Sequence, residues 1–249
     1  PTAGSDSSTS ARFHSARDAM LAGDFGKGRQ LFDELAATPA TQQPTRSWSL
    51  FNAGLCALFM GDNAGARATY GTIASGGLYS TKPEDADLAN FFVNTARWLS
   101  IDGLVPAERR DDCAPDSVRA VGLLAAGLKN WNAGDASSAQ TFLRAFDASN
   151  PPRKADWVTA CKRLVQAHLA DAVLIAGIPA PDFTKMTAEE ADAALAPARE
   201  ILTKLTLSGA AKDKAAASVE ALAAAAEKRK EELMAAAGGD RDQRANAEL

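Results

Sequence analysis

The side chains with the most scope for chemistry are few and scattered. The chain has two histidines, His14 and His168, each with an aspartate nearby, Asp18 and Asp171. A metal site gathers three or four such ligands, but these two neighbourhoods lie 154 positions apart, so surface or helix-cap roles are expected. The three cysteines, Cys56, Cys113 and Cys161, form an odd set without Cys-x-x-Cys spacing, which excludes that metal or redox motif. Cys56 and Cys161 fall in helical patterns and read as small buried hydrophobes. Cys113 falls in a loop, and nothing in the spacing supports pairing it with Cys161. No Gly-x-Ser-x-Gly elbow, Walker loop or His-Glu-x-x-His pattern occurs. The segment Gly23 to Gly28, GDFGKG, contains Lys27, but a phosphate loop follows a strand and here a helix precedes it. Asp111, Asp112 and Asp116 fall short of the roughly six oxygen ligands that calcium requires. The expectation is a non-enzyme with no cofactor and no metal.

Composition directs attention to the elements instead. The chain of 249 residues is 46% hydrophobic and 23% charged, with only 6% aromatics because alanine dominates the apolar share. Alanine is the best helix former and lets helices approach closely. Val, Ile and Thr form no alternating runs with hairpin turns, so an all-α fold is expected. The net charge of −4 and the lack of a basic stripe disfavour nucleic acid as a partner. Lys228, Arg229 and Lys230 alternate with glutamates as a solvated helix face would. No run reaches the ~20 apolar residues of a membrane span; the longest candidate, Ala167 to Ile178, is interrupted by His168 and Asp171. Thr2 to Ser10 is small and polar, like the stretch after a removed signal peptide, so export to the periplasm is favoured over the cytoplasm.

A turn recurs along the chain. Gly23-Asp24, Gly61-Asp62 and Gly134-Asp135 each follow one amphipathic stretch and open another, with intervals of 38 and 73 residues, the second close to twice the first. Glycine accepts the left-handed conformation that ends a helix, and aspartate accepts backbone N–H bonds at the start of the next. Gly54 and Gly127 stand seven residues before the turn glycine, and Ala66 and Ala139 five after it. Small residues are needed there if two helices of a hairpin cross. Nine residues beyond the turn glycine come Phe32, Tyr70 and Leu143, expected to fill the space between successive hairpins. Asn150-Pro151 reads as the stop of the third unit.

In these features the chain resembles the tetratricopeptide repeat (TPR) family. Leu50 to Ile73, LFNAGLCALFMGDNAGARATYGTI, carries Asn52, Gly54, Gly61, Asp62, Ala66 and Tyr70 in the family register. Leu123 to Pro151 follows through Gly127, Gly134, Asp135, Ala139 and Pro151. Phe13 to Leu35 is degenerate, with Ala16 and Gly28 at the small positions. The resemblance covers roughly 60% of the chain and implies a right-handed stack of antiparallel hairpins, a TPR-like α-solenoid with C-terminal capping helices. Between the second and third units, Pro83 to Ser100 reads as a helix with Leu88, Phe91, Phe92, Ala96 and Leu99 on its apolar stripe. Ile101 to Pro115 reads as a charged, proline-containing loop.

The C-terminal third loses the register. Pro152 to Ala176 reads as a helix with Trp157, Leu164, His168 and Val173 turned inward, and Gly177 to Pro181 breaks it. Thr187 and Glu190 form a capping-box signature, and Pro197 is expected to kink the helix they start. Ala210 to Ala237 reads as an Ala/Lys/Glu helix closed by Gly238-Gly239. The expected organisation is a disordered or processed segment at 1–10, the repeat domain at 11–176, a helical cap at 182–237 and a frayed tail at 238–249. Capping is the first reading for the C-terminal helices; docking of a partner or a second copy by Val219, Leu222 and Met234 is the rival.

The family resemblance implies a concave groove lined by the first helix of each hairpin. Carried over by position, its lining is Phe13, Arg17, Met20, Trp48, Phe51, Asn52, Leu55, Leu58, Leu124, Leu128 and Trp131, which suits a peptide or helix of another protein. Of the family's carboxylate-clamp positions only Asn52 matches, with Val121 and Ala125 at later ones, so recognition of an acidic C-terminal tail is not implied. Two arrangements fit the same residues: an open groove, or a core in which the chain's own C-terminal helices lie. A second reading is a small-molecule-binding or accessory protein of the cell envelope, with a closed pocket of roughly a few hundred Å³ lined by Trp and Phe. A purely structural accessory subunit is a third. The oligomeric state is open.

Overall fold

The computed structural model describes residues 3–76, 86–109, 119–149 and 156–247. Among these residues every regular element is helical. In chain order they are α1 (Ala3–Leu21), α2 (Phe25–Ala37), α3 (Thr45–Phe59), α4 (Asn63–Ser75), α5 (Ala86–Ser100), α6 (Arg119–Asn132), α7 (Ala136–Ala148), α8 (Asp156–Ala176), α9 (Ala188–Lys204) and α10 (Ala210–Ala247). Neighbours in sequence pack as neighbours in space: α1 on α2, α2 on α3, α3 on α4, α4 on α5, α6 on α7, α7 on α8, and α9 on α10.

The three Gly-Asp turns have one geometry. Gly23, Gly61 and Gly134 hold φ of 84°, 78° and 78°, a region costly for any residue with a Cβ. The following aspartate caps the next helix each time, accepting from the backbone N–H of Lys27, Gly65 and Ser138. In the second turn Arg29 also donates to Asp62 at 2.8 Å, linking α2 to the cap of α4.

The small residues lie at the crossings, and the large residues meet them inside the same hairpin. A Cβ on Gly54 would fall 2.7 Å from Cζ of Tyr70, and one on Gly127 would fall 2.6 Å from Cδ2 of Leu143. Tyr70 also donates its hydroxyl to the Phe51 carbonyl of the facing helix. In the first hairpin Phe32 packs edge-on to Phe13 of α1. This corrects the expectation that Phe32, Tyr70 and Leu143 fill the gaps between hairpins. Opposite Tyr70 and Leu143 the position is a glycine because a large ring or branched chain already lies against it.

The main core lies between the first helices of the hairpins. Besides their sequence neighbours, α3 packs on α1 and α6, and α8 packs on α1 and α6. The residue set that closes this interior includes Met20, Phe51, Leu55, Leu124, Leu128 and, from α8, Val158, Cys161 and Val165. These α8 residues recur at helical spacing; of the inward residues expected, Leu164 and His168 are half-buried, but Val173 is 39% exposed, whereas Ala172 and Asp171 are buried. On α5, Phe92, Ala96 and Leu99 are buried as expected.

The last two helices described pair as the α9–α10 hairpin. Thr187 and Glu190 form the capping box, each satisfying the other's backbone N–H. Its own small core holds Phe183, Ala191, Leu195 and Ala226, while Ala211 joins Trp131, Ala136, Ala139 and Ala172 where α10 begins. Lys230 bridges to Asp192 of α9, and Arg229 donates to the Met186 carbonyl. Two members of the expected solvated trio therefore hold the hairpin together. Val219 is buried, Leu222 is half-buried in the hairpin core and Met234 is 69% exposed, so only Met234 of the three offers an open apolar surface. Two boundaries also differ from expectation. The first helix begins at Ala3, inside the stretch read as disordered or processed, and α10 continues past Gly238-Gly239 to Ala247. Glycine inside a helix costs only about 1 kcal/mol relative to alanine, a weak stop without a capping contact. The residues Cys113, Asp111, Asp112, Asp116, Pro83 and Asn150-Pro151 lie outside the described ones, as do the side chains of Leu88, Phe91 and Trp157.

Candidate interaction surface

The eleven residues expected to line a groove sit on α1, α3 and α6. Eight of them pack into or against the main core, whereas Trp131 joins the smaller cluster with Ala136, Ala172 and Ala211. Met20, Phe51, Leu55, Leu58, Leu124 and Leu128 are at most 1% exposed, Trp131 is 3% and Asn52 8%. Helix α8 supplies the opposite wall, so this face is occupied by the chain itself. Three of the eleven keep part of their surface open: Phe13, Arg17 and Trp48. Phe13 and Arg17 are one helical turn apart on α1 and so share a face. Trp48 stands at the start of α3, edge-on to Phe92 of α5 at 4.9 Å.

Arg17 is the charged one of these three. Among the described residues it makes no ion pair or hydrogen bond, and its Nε is shielded from solvent without an acceptor. The neighbouring thiol of Cys161 is no counter-ion, because burial pushes its pKa up to about 12 even with Arg17 acting to lower it. Cys56 is pushed up to about 12 as well, by burial first and then by Asp33 and Cys161. Both are free thiols and are held neutral, which makes them poor nucleophiles.

His168 of α8 lies edge-on to Trp131, with ring centroids 5.6 Å apart, and to Phe59 at 6.4 Å. Burial lowers its pKa below 6.5, and Asp171 acts in the opposite sense. Asp171 is itself engaged, accepting from the backbone N–H of Thr206 and Leu207 just before α10. It ties the α9–α10 connection to α8. Among the described residues no group of three or more His, Cys, Asp or Glu side chains gathers as a metal site, and no helix is long and apolar enough to cross a membrane.

No family model, no curated protein and no solved structure matches this chain. The geometry therefore carries the functional reading alone.

Two features went unread in the sequence. The first is a polar clamp at the end of α6, where the second hairpin has Cys56 and Ala57. Lys129, 4% exposed, directs its ammonium at the carbonyls of Trp98, Leu99 and Ile101. Asn130 pairs with both backbone groups of Val105, and Asn132 donates to the Leu58 carbonyl. No Gly-Asp turn follows α5, so its terminal carbonyls need other donors. Polar residues at an otherwise apolar register position were the available signal. The second is a cleft of about 510 Å³ between α7, α8 and α10. It opens to solvent and has neither Trp nor Phe in its wall, unlike the closed aromatic pocket anticipated.

Proposed function

We propose that the chain is a non-enzymatic, tetratricopeptide-like interaction scaffold with right-handed stacking of its hairpins. The observation that carries this reading is the recurrence, in phase along the sequence, of one turn geometry in all three hairpins. In the second and third, the same large-on-small crossing accompanies it, Tyr70 on Gly54 and Leu143 on Gly127. Repetition of a supersecondary unit builds extended surface, the usual resource of interaction proteins.

With α8 occupying the inner face, the partner contact falls to the rim at Phe13, Arg17 and Trp48. Aromatic side chains and arginine dominate binding energy at protein interfaces. A guanidinium that has no counter-ion among the described residues suits a carboxylate. The partner element is accordingly a peptide or helix presenting an acidic side chain next to an apolar one. The test is a crosslinking pull-down, followed by affinity measurement with the purified partner. Arg17→Gln is expected to weaken binding by about tenfold without changing the melting temperature, and Trp48→Ala to weaken it further. Affinity indifferent to both substitutions would contradict this reading.

A further inference from the structure

The cleft between α7, α8 and α10 is separate from the rim and has its own chemistry. Its lining includes apolar side chains, Ile175 at the end of α8, Ile178 just beyond it and Leu222 of α10. Its lining also carries two opposite charges, Asp135 and Lys214. They are brought together because α10 starts directly over the third turn: a Cβ on Gly134 would fall 3.2 Å from both the Ala210 carbonyl oxygen and Cδ of Lys214. The two charges do not pair with each other. Asp135 uses Oδ1 to cap α7 through the Ser138 N–H. Among the described residues it forms no ion pair, and the Lys214 ammonium has no partner.

We propose that this cleft binds a small zwitterion with an apolar body, of the size of a dipeptide of apolar residues. The ammonium end is received by the Asp135 carboxylate and the carboxylate end by Lys214, while the side chains lie on Ile175, Ile178 and Leu222. The volume of about 510 Å³ falls within the range of roughly 300–1,000 Å³ for small-ligand sites, which combine mostly apolar walls with a few placed polar groups. It is too large for one amino acid to fill. Two charges of opposite sign, unpaired among the described residues, disfavour a simple fatty acid or amine, which would satisfy one and leave the other. This inference stands apart from the scaffold reading, since loss of the rim contact leaves the cleft intact.

The experiment is calorimetric titration of the full chain with Leu-Leu, with its N-acetyl form and with its C-terminal amide. Asp135→Asn and Lys214→Met are the variants; the first keeps the acceptor that caps α7. Leu-Leu is expected to bind saturably, and each blocked peptide and each variant to weaken binding by about tenfold. The N-acetyl peptide is expected to lose nothing more in Asp135→Asn, nor the amide in Lys214→Met, which assigns each end to its partner. Absence of Leu-Leu binding overturns the proposal, as does binding that tolerates either blocked end or either substitution. The peptide arms decide the matter even if a variant folds poorly.

Discussion

The ring of Tyr70 occupies the space into which a side chain on Gly54 would project, with Cζ 2.7 Å from the would-be Cβ. Tyr70 has no freedom to retreat. It is fully buried and its hydroxyl is bonded to the Phe51 carbonyl, and burial holds its pKa well above 10.0.

Gly54→Ala is therefore expected to destabilise the chain. Overpacking costs about 1–3 kcal/mol, which exceeds the ~1 kcal/mol gained from better helix propensity. Gly26, also helical, has nothing within 4 Å of its would-be Cβ, so Gly26→Ala is expected to gain up to about 1 kcal/mol. Urea unfolding of the two variants should show midpoints moving in opposite directions.

The second turn allows its cap to be separated from its ion pair. Asp62→Ala is expected to cost about 0.5–2 kcal/mol through the lost bond to the Gly65 N–H. Asp62→Asn keeps an acceptor and should cost less, because the Arg29 partner is part-exposed and such pairs contribute little. The Gly65 N–H and then Arg29 hold the Asp62 carboxyl below 3.8. Its contribution is present above that value and disappears as pH falls through the lower folded one. Acid unfolding of wild type against Asp62→Ala should show the difference vanish at low pH.

Much of this was legible in the residues, and the reasons differ by element. Gly61-Asp62 and its two counterparts announce themselves because a positive φ and a cap are local requirements that few residue types meet. The inner face was legible as a set but not as core or groove. That depends on where α8 lies, a long-range contact between Cys161 and the α1–α3 interior that no local pattern encodes. The burial of Lys129 has no local cause, since only the missing turn after α5 makes it useful. The cleft was illegible for a similar reason: Asp135 and Lys214 are 79 residues apart, joined only by the return of α10.

Lys129 provides a pH test in the alkaline range. Burial, and secondarily Arg67, lower its pKa from 10.5 to about 8. The unfolded chain thus binds more protons than the folded one between these values, and stability rises with pH across that window. Lys129→Met abolishes the dependence. Denaturation at a series of pH values should show wild type gaining on the variant from about 8 towards 10.5, with the gain absent below that window.

His168 gives the corresponding test in mild acid. Its neutral form is favoured between Phe59 and Trp131, so its contribution is complete above 6.5 and is lost as pH falls through the lower folded value. Asp171 on the same helix opposes this shift. His168→Phe preserves the aromatic contacts without the titration. Melting temperatures at falling pH should show wild type losing ground to the variant; parallel curves would argue against a buried neutral imidazole.

The placement of α8 against α1, α3 and α6 is the claim on which the rest depends, and two thiols report on it. Cys56 and Cys161 are both fully buried in that interior. In a Cys113→Ser background, a water-soluble thiol reagent should leave both unmodified under native conditions and label them only as the chain unfolds. Rapid labelling of either one while helical circular dichroism is intact would mean that the inner face is open, and the arrangement described above would be wrong.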